Sequence, residues 1–145
     1  MNFMNAEHKQ FYIEKQPKDV YERAFSYLIG LCPDTRRNAH ALYDADGIKP
    51  EAIHAGWQTS ASARLTRLAF NLYTDNVPTA HQYDGEGQIK PFCEDDFKEC
   101  RLYSISDIFC CEYAPYFMEA IKLRYPEYCR ENSGRPTTSN KAVVR

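Results

Sequence analysis

Apolar positions recur at three- and four-residue spacing along most of the chain, the period of an α-helix with one buried face. Val20, Ala24, Tyr27, Leu28 and Leu31 form one such stripe, opened by Asp19 as a cap. Leu65, Leu68, Ala69 and Leu72 form another, widened by Phe70 and Tyr73 and capped by Thr59 or Ser60. This is the most apolar predicted helix and should lie at the centre of the fold. Arg64, Arg67 and Asn71 fill its remaining polar strip. Asn5 predicts the start of an N-terminal helix carrying Phe11, Tyr12 and Lys15, with Pro17 as its stop.

Cys32-Pro33-Asp34-Thr35 marks a further helix start, and the pattern runs on through Arg36, Arg37, Ala39, Leu42 and Tyr43. Asp44-Ala45-Asp46-Gly47 reads as a turn, and Pro50 opens a short helix reaching His54. Ser104-Ile105-Ser106-Asp107 is a cap signal before Ile108, and Pro115 breaks or restarts that helix. Phe117, Ala120, Ile121 and Tyr125 then repeat until Pro126. The expected fold is mostly α: a single-domain bundle of about six helices over residues 1–129. One irregular or small β excursion is expected around residues 74–103, with a short helix or hairpin at Asp95–Cys100. Arg130, Arg135, Lys141 and Arg145 sit among Ser, Thr, Asn and Pro, so 130–145 is expected to be a disordered basic tail.

Composition narrows the function classes. At 145 residues, with 43% apolar and 14% aromatic positions, the chain can build a core of its own. Eighteen Lys+Arg against twenty Asp+Glu leave a net charge of −2. That weakens both a general nucleic-acid binder, which needs a basic excess, and a mimic of DNA, which needs a large acidic one. The start has no basic region followed by an apolar run, and no stretch approaches the length of a membrane span. A soluble, cytoplasmic protein is expected.

The six cysteines form no Cys-x-x-Cys pair and are read as thiols. A structural zinc held by Cys32, one of Cys110 or Cys111, and His8 or His40 is the alternative. No glycine-rich phosphate loop, nucleophile elbow, His-Glu-x-x-His or deaminase signature occurs. His8, His40, His54 and His81 fall in four different elements. No cofactor and no enzymatic activity are expected.

Three features could carry binding. Trp57, the only tryptophan, reads as a core anchor or as an interface hot spot. Arg64 and Arg67 read as a solvated strip or as guanidinium forks for phosphate or carboxylate. Between residues 84 and 99 six carboxylates face only Lys90 and Lys98. Glu94, Asp95, Asp96 and Glu99 around Phe97 read as a solvated loop, or as an acidic patch that docks on a basic protein. The aromatic stretch from Tyr113 to Phe117 continues the helical period and is assigned to the core rather than to stacking on bases.

Two blocks carry a resemblance. One is Gly56-Trp57-Gln58-Thr59 with Thr66-Arg67-Leu68-Ala69-Phe70-Asn71-Leu72-Tyr73. The other is Asp107-Ile108-Phe109-Cys110-Cys111 with Tyr113-Ala114-Pro115-Tyr116-Phe117, Glu119-Ala120-Ile121-Lys122 and Arg124-Tyr125-Pro126-Glu127-Tyr128. Together with Phe3-Met4-Asn5, His8 and Phe11-Tyr12, they resemble a family of small proteins of unknown function from bacteria, phages and mobile elements. The resemblance spans most of residues 1–129 and transfers no functional residue. It implies a mobile-element accessory protein. Such elements often encode compact inhibitors of host defence proteins, so an anti-CRISPR role against a Cas9-type nuclease is the favoured expectation. The contacts expected to serve it are Glu94, Asp95, Asp96, Phe97, Glu99, Arg64 and Arg67, on a monomer or homodimer. A zinc-stabilised or nucleic-acid-binding accessory module is the alternative.

Overall fold

The computed structural model describes residues 1–80 and 86–129. The expected basic tail at 130–145, and residues 81–85 of the expected 74–103 excursion, lie outside the described residues. The fold is mostly α. In chain order the elements are α1 (Ala6–Lys15), α2 (Val20–Ile29), α3 (Pro33–Arg37), α4 (Ala39–Leu42), strands β1 (Tyr43–Asp44) and β2 (Gly47–Ile48), and a 3-10 helix (Pro50–His54). Then come α5 (Ser60–Thr74), α6 (Glu94–Arg101), α7 (Ile105–Ile108), a 3-10 turn (Ala114–Tyr116), α8 (Phe117–Arg124) and α9 (Pro126–Cys129).

Local chemistry sets the long helices. The Asp19 carboxylate accepts the Glu22 amide at 2.8 Å and starts α2. Thr59 and Ser62 exchange backbone-to-hydroxyl bonds at 2.8 and 3.1 Å, a capping box that starts α5. Gln16 and Asp75 adopt left-handed backbone, with φ of 48° and 57°, and stop α1 and α5. Arg124 then clamps the end of α5. Its Nε donates to the Leu72 carbonyl at 2.8 Å, and its Nη2 donates to both oxygens of Asp75 at 2.9 and 3.0 Å.

The core lies where α2 packs against α5 and α8. Tyr27, Leu28, Leu65, Phe70 and Phe117 are fully buried there. Each contributes roughly 1.5–3 kcal/mol of burial free energy before entropy is subtracted. α5 occupies the central place its pattern predicts. The N-terminal strap closes one end of this core. The Met4 amide donates to His8 Nδ1 at 3.0 Å, so Nε2 carries the ring proton and donates to the Tyr27 carbonyl at 2.7 Å. The Tyr27 hydroxyl donates to the Asn2 carbonyl.

Two expectations need correction. The run predicted as one helix from Arg36 to Tyr43 is broken at Asn38. There φ is −111° and ψ 22°, and the side-chain amide donates back to the Asp34 carbonyl at 2.8 Å. The two-stranded sheet falls at residues 43–48, where only a turn is predicted; the described part of the 74–103 excursion is irregular outside its helices, with a bridge residue at Ile89. Asp44 accepts the Asp46 amide at 2.9 Å and Gly47 takes a φ of 107°, which closes that hairpin. Residues 94–101 form a helix, one of the two predicted forms of that segment.

Candidate functional site

The expected acidic patch is α6 and the segment leading into it. Its sequence carries no apolar stripe, and the structure shows why: the helix is turned inside out. Asp96 and Glu99, three residues apart, face the protein and are only 2% and 8% exposed. Phe97 faces outward and is 52% exposed.

Asp96 is fixed at the helix start, where the Cys93 amide donates to its Oδ2 at 2.9 Å and the Cys93 thiol does so at 3.1 Å. Glu99 is the hub of a larger network. Arg67 Nε donates to Glu99 Oε2 at 2.6 Å and Arg67 Nη2 to Oε1 at 3.1 Å, a two-pronged pair. The Thr79 hydroxyl donates to the same carboxylate at 2.6 Å. Thr79 in turn lies 2.7 Å from the Tyr103 hydroxyl, which donates to it. Burial alone would raise the Glu99 pKa, but the hydrogen bonds from Arg67 and Thr79 outweigh it and hold the carboxyl below its ordinary value. Burial also pushes the Tyr103 phenol up to about 12.

Several sequence expectations change here. Arg67, Asp96 and Glu99, expected as partner contacts, face inward: Arg67 and Glu99 join α5 to α6, and Asp96 caps its own helix. Arg64 is also engaged: its Nε donates to the Asp107 carbonyl at 2.9 Å and lies 3.4 Å from the Asp107 carboxylate. Asn71 donates to the Asn76 carbonyl at 2.8 Å. The polar strip of α5 is therefore the seam that ties α6, α7 and the turn after α5 to the bundle. A basic strip offered to phosphate does not describe it. The residues of the patch that do face solvent are Glu94, Asp95, Phe97 and Lys98. The acidic excess at the surface shrinks accordingly.

An apolar component gains in its place. Phe92, 38% exposed, sets its ring edge-on to Phe97 with centroids 5.0 Å apart, and Ile89 just before it is also largely exposed. Sequence reasoning picked Phe97 but not Phe92 or Ile89. The signal that could have found them is the absence of any buried apolar position in Glu94–Arg101, which leaves the neighbouring aromatics without a core to enter.

The zinc alternative fares differently. Both ring nitrogens of His8 are used by backbone, Cys32 is buried, and His40 is exposed. Burial raises the Cys111 thiol pKa, which works against metal binding. Among the described residues no three His, Cys, Asp or Glu side chains gather to hold a metal ion. Trp57 is half-buried and packs against the core. Tyr113 and Phe117 are buried, so that aromatic stretch belongs to the interior. No helix among the described residues is long and apolar enough to cross a membrane.

No curated protein and no solved structure gives a significant match to this chain. A family profile does, over residues 1–137. Its description is "Family of unknown function (DUF6075)", and the chain belongs to that family.

Proposed function

We propose that this protein works as a non-enzymatic binding protein, gripping another protein through the outward face of α6 and the segment before it. One observation carries the reading: α6 turns Asp96 and Glu99 inward and leaves the Phe92–Phe97 pair exposed on its outer side. A fold that spends a buried ion pair to hold such a helix breaks the usual local rule, and such breaks concentrate at functional sites. Exposed aromatic pairs are the usual anchors of protein interfaces. Glu94 and Asp95 at the rim favour a partner with a basic margin around an apolar recess.

The sequence resemblance to proteins of phages and mobile elements supports a host defence protein as that partner, with a Cas9-type nuclease, rich in basic surface, as the specific candidate. The test is a pull-down and a cleavage assay with such a nuclease. The wild-type protein should bind it and slow cleavage. A Phe92→Ser/Phe97→Ser double variant should keep the helical circular dichroism and lose binding by about thirtyfold or more. If the nuclease neither binds nor slows, the inhibitor reading is wrong. If the double variant binds as well as wild type, the α6 surface is not the contact.

A further inference from the structure

A second feature shares no residue with α6. A cavity of about 120 Å³ opens between α1, α2, α4, β1 and α5. Its walls are aromatic: Phe11, Phe25, Tyr43 and Tyr73, with Ile29 beside them. Phe25, Tyr43 and Tyr73 form a closed triangle of rings, with centroids 5.3, 5.6 and 5.4 Å apart. The Tyr73 hydroxyl donates to that of Tyr43 at 3.3 Å, and the Tyr43 hydroxyl hydrogen has no acceptor among the described residues. Such mutual ring packing fixes the walls, so the cavity is preformed.

Two opposite charges border this apolar space. Lys15, in the last turn of α1, lies over the Phe11 ring at 5.1 Å and makes no ion pair among the described residues. Glu22, in the first turn of α2, accepts the Lys18 amide on Oε1 at 3.0 Å, and its second oxygen has no partner among the described residues. Both come from the end of the cavity that borders the α1–α2 connection. A simple anion would meet Lys15 but also Glu22, and a simple cation would meet Glu22 but also Lys15. Only a molecule carrying both charges at one end, on an apolar body, meets each with its opposite.

We infer that this cavity is a binding site for a small zwitterion, a free α-amino acid with a branched apolar side chain. The body would rest against Phe25, Ile29 and Tyr43. The carboxylate would face Lys15 and the ammonium Glu22. The volume is near that of a cavity which accepts one benzene-sized molecule, so a leucine-sized side chain fits and a larger ring system does not. The site is independent of the Phe92–Phe97 surface, so each reading can fail alone.

The experiment is a titration of the ¹⁵N-labelled protein followed by amide chemical shifts, with L-leucine, L-leucinamide and N-acetyl-L-leucine as probes. L-leucine should give saturable shifts around residues 25–29 and 39–43 at concentrations up to about 10 mM. Each derivative lacks one charge and should bind at least twofold to fivefold more weakly, roughly the strength of one solvent-edged ion pair. Lys15→Met keeps the packing over Phe11 and should weaken L-leucine but not L-leucinamide, which it frees from repulsion by the Lys15 charge. Glu22→Gln keeps an acceptor for the Lys18 amide and should weaken L-leucine but not N-acetyl-L-leucine, which it frees from repulsion by the Glu22 charge. Ala39→Phe fills the cavity and should abolish binding with the fold intact. Absence of saturable shifts with L-leucine overturns the inference. So does either derivative binding as tightly as L-leucine, or L-leucine binding that survives in a folded Ala39→Phe variant.

Discussion

The bundle of α2, α5 and α8 and the appended α6 are held by opposite physics. In the bundle, Leu28, Phe70 and Phe117 meet across helix faces by apolar contact, and polar bonds such as Tyr27 to Asn2 and Arg124 to Asp75 only close its ends. At α6 the buried groups are two carboxylates, and the joint to α5 is the Arg67–Glu99 pair with Thr79 and Tyr103 behind it. Apolar packing is non-directional and tolerates small shifts. A two-pronged ion pair fixes orientation, and it costs desolvation that only good geometry returns. The contrast shows a rigid body that carries stability and a helix that is aimed. Aiming by charge is what lets the outer face of α6 keep Phe97 in water.

The largest expected effect comes from the bundle. Phe70→Ala leaves a cavity at a fully buried site and should cost about 3–5 kcal/mol in a urea titration. Because α5 is shared by both regions, every probe should unfold together. The ion pair is next. Glu99→Met strands the Arg67 charge, and breaking such a pair costs about 3–5 kcal/mol. The lower end of that range is expected here, since both side chains keep about a tenth of their surface exposed. The loss should be local, with faster hydrogen exchange in α6 while α2 stays protected. Arg67→Met/Glu99→Met should recover most of it. A double variant no more stable than Glu99→Met would mean that the pair is not what holds α6.

The same contrast explains what the sequence disclosed. α2 and α5 announce themselves through caps and a 3.6-residue apolar period, because local pattern and burial agree there. α6 hides because its buried face is Asp96 and Glu99, and a carboxylate in a sequence is read as surface. Its partner, Arg67, is 32 residues away, so no spacing rule links them. The break at Asn38 rests on one side chain bonding its own backbone, which hydrophobic periodicity does not sense. The aromatic cavity draws its walls from five elements. Each ring alone looks like ordinary core, and only the fold brings Phe11 and Tyr73 to the same cavity.

Gly30 sharpens the comparison at the edge of the bundle. It has ordinary helical backbone, with φ of −73°, so its role is space and not conformational freedom. A Cβ there would lie 2.9 Å from both the His8 ring and the Phe11 ring. Gly30→Ala should therefore cost about 1–3 kcal/mol by overpacking α1 against α2. It should also move Phe11, the wall of the cavity, and so change L-leucine binding without touching α6. A Gly30→Ala protein as stable as wild type would mean that α1 shifts freely, and that the aromatic walls are not fixed.

His8 gives the smallest effect and the one with a sign that can be worked out. Burial lowers its pKa from 6.5; the hydrogen bond to the Tyr27 carbonyl opposes this, and the nearby Arg36 charge adds to it. A lowered folded pKa means the unfolded chain binds the proton more readily. The contribution of neutral His8 is thus complete above about pH 6.5 and is lost as pH falls toward the folded value. The physical event is the loss of the Nδ1 lone pair that accepts the Met4 amide, which loosens the strap over Tyr27. Unfolding free energies measured by urea at about pH 7.5 and about pH 5.5 should fall by up to roughly 1 kcal/mol for wild type. His8→Gln should show a lower value at the higher pH and a smaller fall between the two. An equal fall in both proteins would assign the loss to other groups. Glu99 serves as the internal contrast: its pKa is also lowered, but from 4.5, so its contribution goes only at more acid pH, when α6 detaches. The strap and α6 should therefore let go in separate pH windows, the strap first.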